Sequence, residues 1–184
     1  DRIIASSPNY LATSSVLARY RGKVAVIPYG LDRHSGKYPP PEAARLAGWR
    51  ARLGPKFFLF VGVLRYYKGL HILLDAAQGC DYPIVIVGAG PVEAELKAHA
   101  ARLQLHHLTF LGALPDEDKV ALLTLCHALV FPSHLRSEAF GISLLEGAMY
   151  GKPMISSEIG TGTGFINQDQ ETGYVVPPGN AAAF

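Results

Sequence analysis

Apolar residues fall along this chain in two rhythms. One is the unbroken run, 57–63 (FFLFVGV) and 83–87 (PIVIV), with 108–111, 128–131, 154–157 and 173–176 read as four further strands. Short runs without polar alternation are expected of strands buried on both faces. The other rhythm is helical. Between residues 69 and 78, apolar Leu70, Leu73, Leu74 and Ala77 fall on one helical face. Segments 42–53, 92–103, 116–127 and 142–150 also read as helices. Asp116 is the expected N-cap of the third of these. Gly151 closes the fourth, and Pro153 prevents its continuation. Nearer the N-terminus, 2–6 (RIIAS) and 23–28 (KVAVIP) read as two further strands. Residues 33–42 are rich in Pro, Gly and charge, including Pro39-Pro40-Pro41, and read as a long loop or linker. Strand and helix alternate throughout, which predicts an α/β fold: a Rossmann-like parallel sheet with helices on both faces. Ligands of such sheets sit at the carboxyl ends of the strands, so the strand-to-helix junctions are where chemistry is sought.

Composition narrows the class. With 184 residues, 49% of them hydrophobic, the chain can bury a core without metals or disulfides. A net charge of +2, with no basic run, excludes nucleic acid as the expected partner. Cys80 and Cys126 form no CxxC pair and read as two buried free thiols of a reducing compartment. No leader-like segment opens the chain and no apolar run reaches membrane-spanning length, so the expectation is a soluble cytoplasmic domain. The sequence begins at Asp1 close to a strand and stops at Phe184 in what reads as a helix opening; it is read as a fragment.

Four junctions carry candidate chemistry. At 61–70 (VGVLRYYKGL), Gly62 ends a strand, and Arg65 and Lys68 follow before a helix. Two cations beside a helix N-terminus suit a phosphate; two solvated loop charges are the plainer reading. At 86–96 (IVGAGPVEAEL), Gly88 and Gly90 follow a strand. Glu93 stands where a dinucleotide fingerprint needs its third glycine, so a dehydrogenase is not supported. These glycines allow a tight turn or a close backbone approach. At 131–157 a strand is followed by Glu138, Phe140 and Gly141, and then by a helix carrying Glu146. Glu138 is expected in the loop ahead of this helix and Glu146 about one turn inside it. Amides at Gly141, Ile142 and Ser143 lie between them, an arrangement that fits a nucleotide sugar. A surface Glu and a helix-dipole carboxylate are the alternatives. At 158–165 (EIGTGTGF), Gly160, Gly162 and Gly164 suggest a loop that a ligand can approach closely, or a flexible turn.

The segment SEAFGISLLEGAMYGKPMIS resembles the signature of the family 4 retaining glycosyltransferases, which have the two-domain GT-B fold. Gly147 replaces the usual Ala, and Met154 the usual Val. IPYGLD, VGVLRYYKG, VGAGP, FLG, FPS and TGYVVPPGN are similar to other family segments and occur in the family's order. The resemblance implies that residues 29–184 form the C-terminal, donor-binding domain, truncated at its end, and that residues 1–28 are a remnant of the preceding domain or a connector. It implies that Glu146 binds the donor ribose and that Glu138 contacts the donor sugar. Phe140, Gly141 and Ile142 would offer backbone groups, with Gly62, Gly88 and Gly90 lining the donor site. Lys68 would neutralise the diphosphate. Val63 stands where many members carry Arg, so Arg65 is the candidate to supply that charge. The implied reaction is transfer from a nucleotide diphosphate sugar with retention, with no cofactor and no metal; no DxD or HExxH is present. Segments LRYYKG and GTGTGFINQ look like those of bacterial surface-polysaccharide enzymes, which implies lipopolysaccharide or capsule assembly. The acceptor, a carbohydrate or lipid-linked molecule, would be bound mainly by the missing N-terminal domain, with peripheral association at the inner membrane face for the full-length protein. The fragment alone would then turn over little. Another GT-B enzyme (a synthase, phosphorylase or epimerase) and a non-catalytic binding module remain as alternatives.

Overall fold

A computed structural model describes residues 1–184. Two parallel sheets form. The smaller pairs β1 (Ile3–Ala5) with β2 (Val24–Val26), linked through the short helices α1 (Pro8–Thr13) and α2 (Ser15–Ala18). Ser7 and Ser14 cap these helices, each accepting an amide hydrogen bond on its hydroxyl. A connector leads to α3 (Ala43–Leu53) and the main sheet.

The main sheet has six parallel strands: β3 (Phe58–Val61), β4 (Ile84–Val87), β5 (Leu108–Gly112), β6 (Ala128–Phe131), β7 (Met154–Ser157) and β8 (Gly173–Val176). Their spatial order is β5-β4-β3-β6-β7-β8. The chain therefore builds outward from β3, jumps back to the other side of β3, and builds outward again. Between β3 and β6 lies a topological switch point, the place where open α/β sheets hold a ligand in a crevice; here the loops after the two strands touch, the His134 amide donating to the Tyr67 carbonyl at 3.1 Å. The remaining helices are α4 (Leu70–Ala77), α5 (Glu93–Arg102), α6 (Asp116–Leu125), α7 (Ile142–Met149) and the single-turn α8 (Thr163–Ile166).

Alternate residues of β3 enter opposite cores, as the unbroken apolar run requires. Phe57, Leu59 and Val61 pack with Leu122 and Leu123 of α6, Leu144 of α7, and Trp49 and Leu53 of α3. Phe60 packs with Leu70, Leu73 and Leu74 of α4 and Leu96 of α5. Each face thus removes a layer of apolar surface from water, and the two layers together hold the strand ends rigidly at one edge. No helix is long and apolar enough to cross a membrane.

Two expectations need correction. Asp116 is not an N-cap: Pro115 takes that position, with no side-chain oxygen to accept an amide, and Asp116 begins the helix. Its carboxylate pairs instead with Lys119, 2.8 Å away. The cysteines are both free, but only Cys126 is buried; Cys80 is half-buried. Burial pushes the Cys126 thiol up to about 12, so it is an inert core residue.

Candidate functional site

Glu138 and Lys68 meet at the switch point. Lys68 arrives on the loop after β3, Glu138 on the loop after β6, and their side chains form a buried ion pair. The Lys68 ammonium also lies 4.9 Å from the centroid of the Phe131 ring, where the ring's negative face favours a cation. Arg65 precedes Lys68 in the chain but is exposed and makes no ion pair.

The helix α7 starts beside this pair. Gly141, its N-cap, has φ +98°, a conformation costly for residues with a Cβ. Ser143 in the first turn donates to the Val61 carbonyl at 2.7 Å. That bond ties the helix N-terminus to the end of β3, the strand whose following loop carries Lys68. The orphan N–H groups of the first turn and the helix dipole favour an anion there.

Glu146 lies further along α7 and is 4% exposed. Its Oε1 accepts from the Tyr38 hydroxyl at 3.1 Å and lies 3.3 Å from the Lys119 ammonium. Burial is the largest influence on Lys119 and lowers its pKa. The hydrogen bond to Asp116 and the charge of Glu146 outweigh it, so the net shift is upward. Lys119 is therefore a firm cation. Burial first, and then Glu146, raise Tyr38 well above the usual phenol range, so it remains a proton donor.

The flanking glycines have a different task. An added Cβ at Gly88 would sit 1.9 Å from the Gly62 carbonyl oxygen, and one at Gly90 would sit 2.2 Å from the Leu64 carbonyl oxygen. The two loops run against each other as bare backbone, with amides of Gly62 and Leu64 donating to Val87 and Ala89, both at 3.0 Å. The close approach that these glycines permit is thus between the loops themselves. The loop after β7 is not an open glycine loop either. Thr161 and Thr163 are buried, Gly162 lies against the Phe140 ring, and α8 follows. Arg136 stitches this loop to the N-terminal segment: it donates to Gly160 O at 2.9 Å and to Thr13 at 2.8 Å, and stacks over Tyr10.

Residues 46–184 match the family model described as Glycosyl transferases group 1. The chain belongs to this family. It is 70% identical over 184 residues to D-rhamnosyltransferase WbpZ of Pseudomonas aeruginosa, covering all of this chain and 48% of that protein. It is 56% identical over 183 residues to O-antigen chain mannosyltransferase C of Escherichia coli, again covering 48% of that protein. The chain spans about half the length of the curated relatives it matches. Among solved structures, sucrose-phosphate synthase from Thermosynechococcus elongatus superposes with a TM-score of 0.83 at 27% identity, over 100% of this chain and 47% of that one. Anabaena HepE in complex with UDP-glucose superposes at 0.81 and 24% identity, over 98% of this chain and 51% of that one, a likeness of fold alone. The six-stranded sheet is thus the Rossmann-like domain of the GT-B glycosyltransferases.

Within this group 1 domain, the sheet edge brings Gly62, Lys68, Glu138 and Gly141 together at the β3–β6 switch point, with Glu146 further along the helix that opens there. Phe140 is buried edge-on to Tyr29, with ring centroids 5.2 Å apart, so only its backbone is available to a ligand. Ile142 is exposed at the helix start. Arg65 is not joined to Glu138 or Glu146 by any hydrogen bond or ion pair. Sequence reasoning missed Tyr38 and Lys119, the two residues that hold Glu146. Tyr38 has one local signal, a lone aromatic immediately before three prolines in an otherwise polar loop. Lys119 has none, since its reach to α7 is set by packing.

Proposed function

We propose that the protein takes part in transfer of a sugar, with retention, from a nucleotide diphosphate sugar to an acceptor, and that the β3–β6 crevice is the donor site. The observation that carries this reading is the pair of buried carboxylates, each opposed by a lysine, on either side of the first turn of α7. Glu146 accepts hydrogen bonds from the ribose hydroxyls. The amides at Gly141, Ile142 and Ser143 hold the diphosphate. Lys68 offsets the charge of the leaving group. Because Lys68 already neutralises Glu138, a diphosphate entering the crevice needs further positive charge, and the uncommitted Arg65 supplies it. Protein cations in this reading replace a metal. Glu138 faces the donor sugar. The relatives named for rhamnosyl and mannosyl transfer, one of them to an O-antigen chain, support a mannose-like sugar and surface-polysaccharide assembly. In this reading a second domain binds the carbohydrate or lipid-linked acceptor, and peripheral contact with the inner membrane face brings lipid-linked acceptors within reach.

Calorimetric titration of the chain with UDP, GDP and their sugar conjugates tests this. Selective binding of one nucleotide series, lost in Glu146→Ala, is expected. Equal binding by wild type and variant would sink the assignment of Glu146.

A further inference from the structure

The connector between the two sheets reaches into the proposed donor site through one side chain. Asp32 starts a tight turn in which its side chain accepts from the His34 amide at 2.9 Å and its carbonyl accepts from the Ser35 hydroxyl at 2.8 Å. A second turn follows, with the Tyr38 amide donating to Ser35 O at 3.1 Å. Pro39, Pro40 and Pro41 then stiffen the chain and remove three amide donors. Tyr38, at the apex, is 6% exposed although it lies in a segment of mostly exposed residues. Its ring is flanked by cations, with Lys119 at 5.6 Å and Lys37 at 5.9 Å from the centroid.

Glu146 is used unevenly. Both of its protein partners, Tyr38 and Lys119, address Oε1. Oε2 accepts no hydrogen bond from the protein, and it is not among the sealed polar atoms without partners, which belong to His107, His134 and Thr161. A carboxylate offers about four lone-pair sites, and the two on Oε2 are open. Resting on the reading of Glu146 as the ribose carboxylate, we propose that Tyr38 is a positioning residue for the donor: together with Lys119 it occupies Oε1 and so turns Oε2 toward the vicinal ribose hydroxyls. The phenol suits this task because it is a neutral donor. It orients the carboxylate without adding a second buried charge that would compete for it. Lys119 alone would hold the oxygen through a flexible stem, whereas a buried tyrosine has a single direction in which to donate.

The test uses Tyr38→Phe, which keeps the ring and removes only the hydroxyl. Binding of UDP and GDP, and of their 2′-deoxy counterparts, is measured by calorimetry for wild type, Tyr38→Phe, Glu146→Gln and the double variant. The expected result is about three- to tenfold weaker ribonucleotide binding in Tyr38→Phe. The preference for the ribo over the 2′-deoxy form should narrow as well, which a loss of packing alone would not produce. In the Glu146→Gln background, Tyr38→Phe should add little, because the two residues act as one unit. Three results overturn the proposal. If wild type binds a nucleotide, Glu146→Gln loses it, and Tyr38→Phe binds and discriminates as wild type does, the role of Tyr38 fails while Glu146 keeps its own. If the effects of Tyr38→Phe and Glu146→Gln are fully additive, Tyr38 acts elsewhere than through Glu146. If wild type shows no ribo preference and Glu146→Gln binds equally well, the ribose reading itself fails and takes this proposal with it.

Discussion

Glu138 and Glu146 look alike in the sequence, two glutamates at either end of one glycine-opened helix start, yet the fold treats them differently. Glu138 stands in a loop, and its cation comes from across the switch point on another loop. Glu146 stands in a helix, and its partners come from the connector and from α6. In the first arrangement Lys68 and the Ser133 hydroxyl, at 3.4 Å, both address Oε2 of Glu138, and the lysine must be shared with any entering phosphate. The second fixes a helical carboxylate through Oε1 against both the connector and α6. Each carboxylate takes two partners on a single oxygen, so burial and partner count do not tell the two apart; the elements that supply the partners do. A buried ion pair is also weak evidence for stability, since desolvation offsets much of its Coulomb energy.

Breaking the pair at the loop should have the largest effect. Lys68→Met leaves Glu138 buried without its cation and is expected to cost about 3–5 kcal/mol in urea unfolding. Lys68→Met with Glu138→Leu should recover much of that loss; if it does not, the pair has a packing role that charge does not describe. On the helix side, Lys119→Met leaves Glu146 the Tyr38 hydroxyl at 3.1 Å, a better donor contact than the 3.4 Å Ser133 hydroxyl left to Glu138, so a smaller loss of about 1–3 kcal/mol is expected by the same measurement. A loss as large as that of Lys68→Met would erase the distinction drawn between the two sites.

The smallest effect separates the two sides by pH. His134, next to Ser133 in the Glu138 loop, packs with His71 and Tyr66, all ring centroids 5.0 Å apart. Burial, chiefly, lowers both histidine pKa values; Asp75 raises His71 in part and His99 lowers it, while His71 lowers His134 further. A lowered folded pKa means that the stabilisation is complete above the unfolded value near 6.5 and is lost as pH falls through the folded one. Amide exchange at residues 132–138 should therefore increase as pH is lowered from 7 to about 5 relative to the intrinsic rate, while α7 around Glu146 holds its protection. Equal loosening of both segments would tell against this assignment of the histidine pair.

Much of this was legible beforehand, and the reasons are specific. The central strands β3, β4 and β6 are legible because they are buried almost throughout, so their residues are apolar without interruption; the half-buried edge strands β5 and β8 are legible by their place in the alternation with helices. Glu138 and Glu146 could be placed because both are local to one helix start. Tyr38 and Lys119 were not, because their meeting with Glu146 spans up to 108 residues of chain and leaves no periodic trace. Asp116 was misread because the capping preference was applied one residue late: the backbone bends at Pro115, and no side chain there accepts an amide. The glycines at 160, 162 and 164 read as room for a ligand or as a flexible turn. Their neighbours Thr161 and Thr163 point inward, and an inward threonine cannot be told from an outward one without the fold.

The glycine seam between the loops after β3 and β4 has a consequence for how such a domain can change. Where carbonyl oxygens lie 1.9 and 2.2 Å from the places a Cβ would occupy, nearly every substitution at Gly88 or Gly90 is closed off. Just beyond the seam, Val63 and Arg65 are exposed and can be replaced at little cost to the core. The crevice is thus walled by a part that cannot drift and rimmed by a part that can, so a library confined to those rim positions would vary what enters without unsettling the frame that receives it.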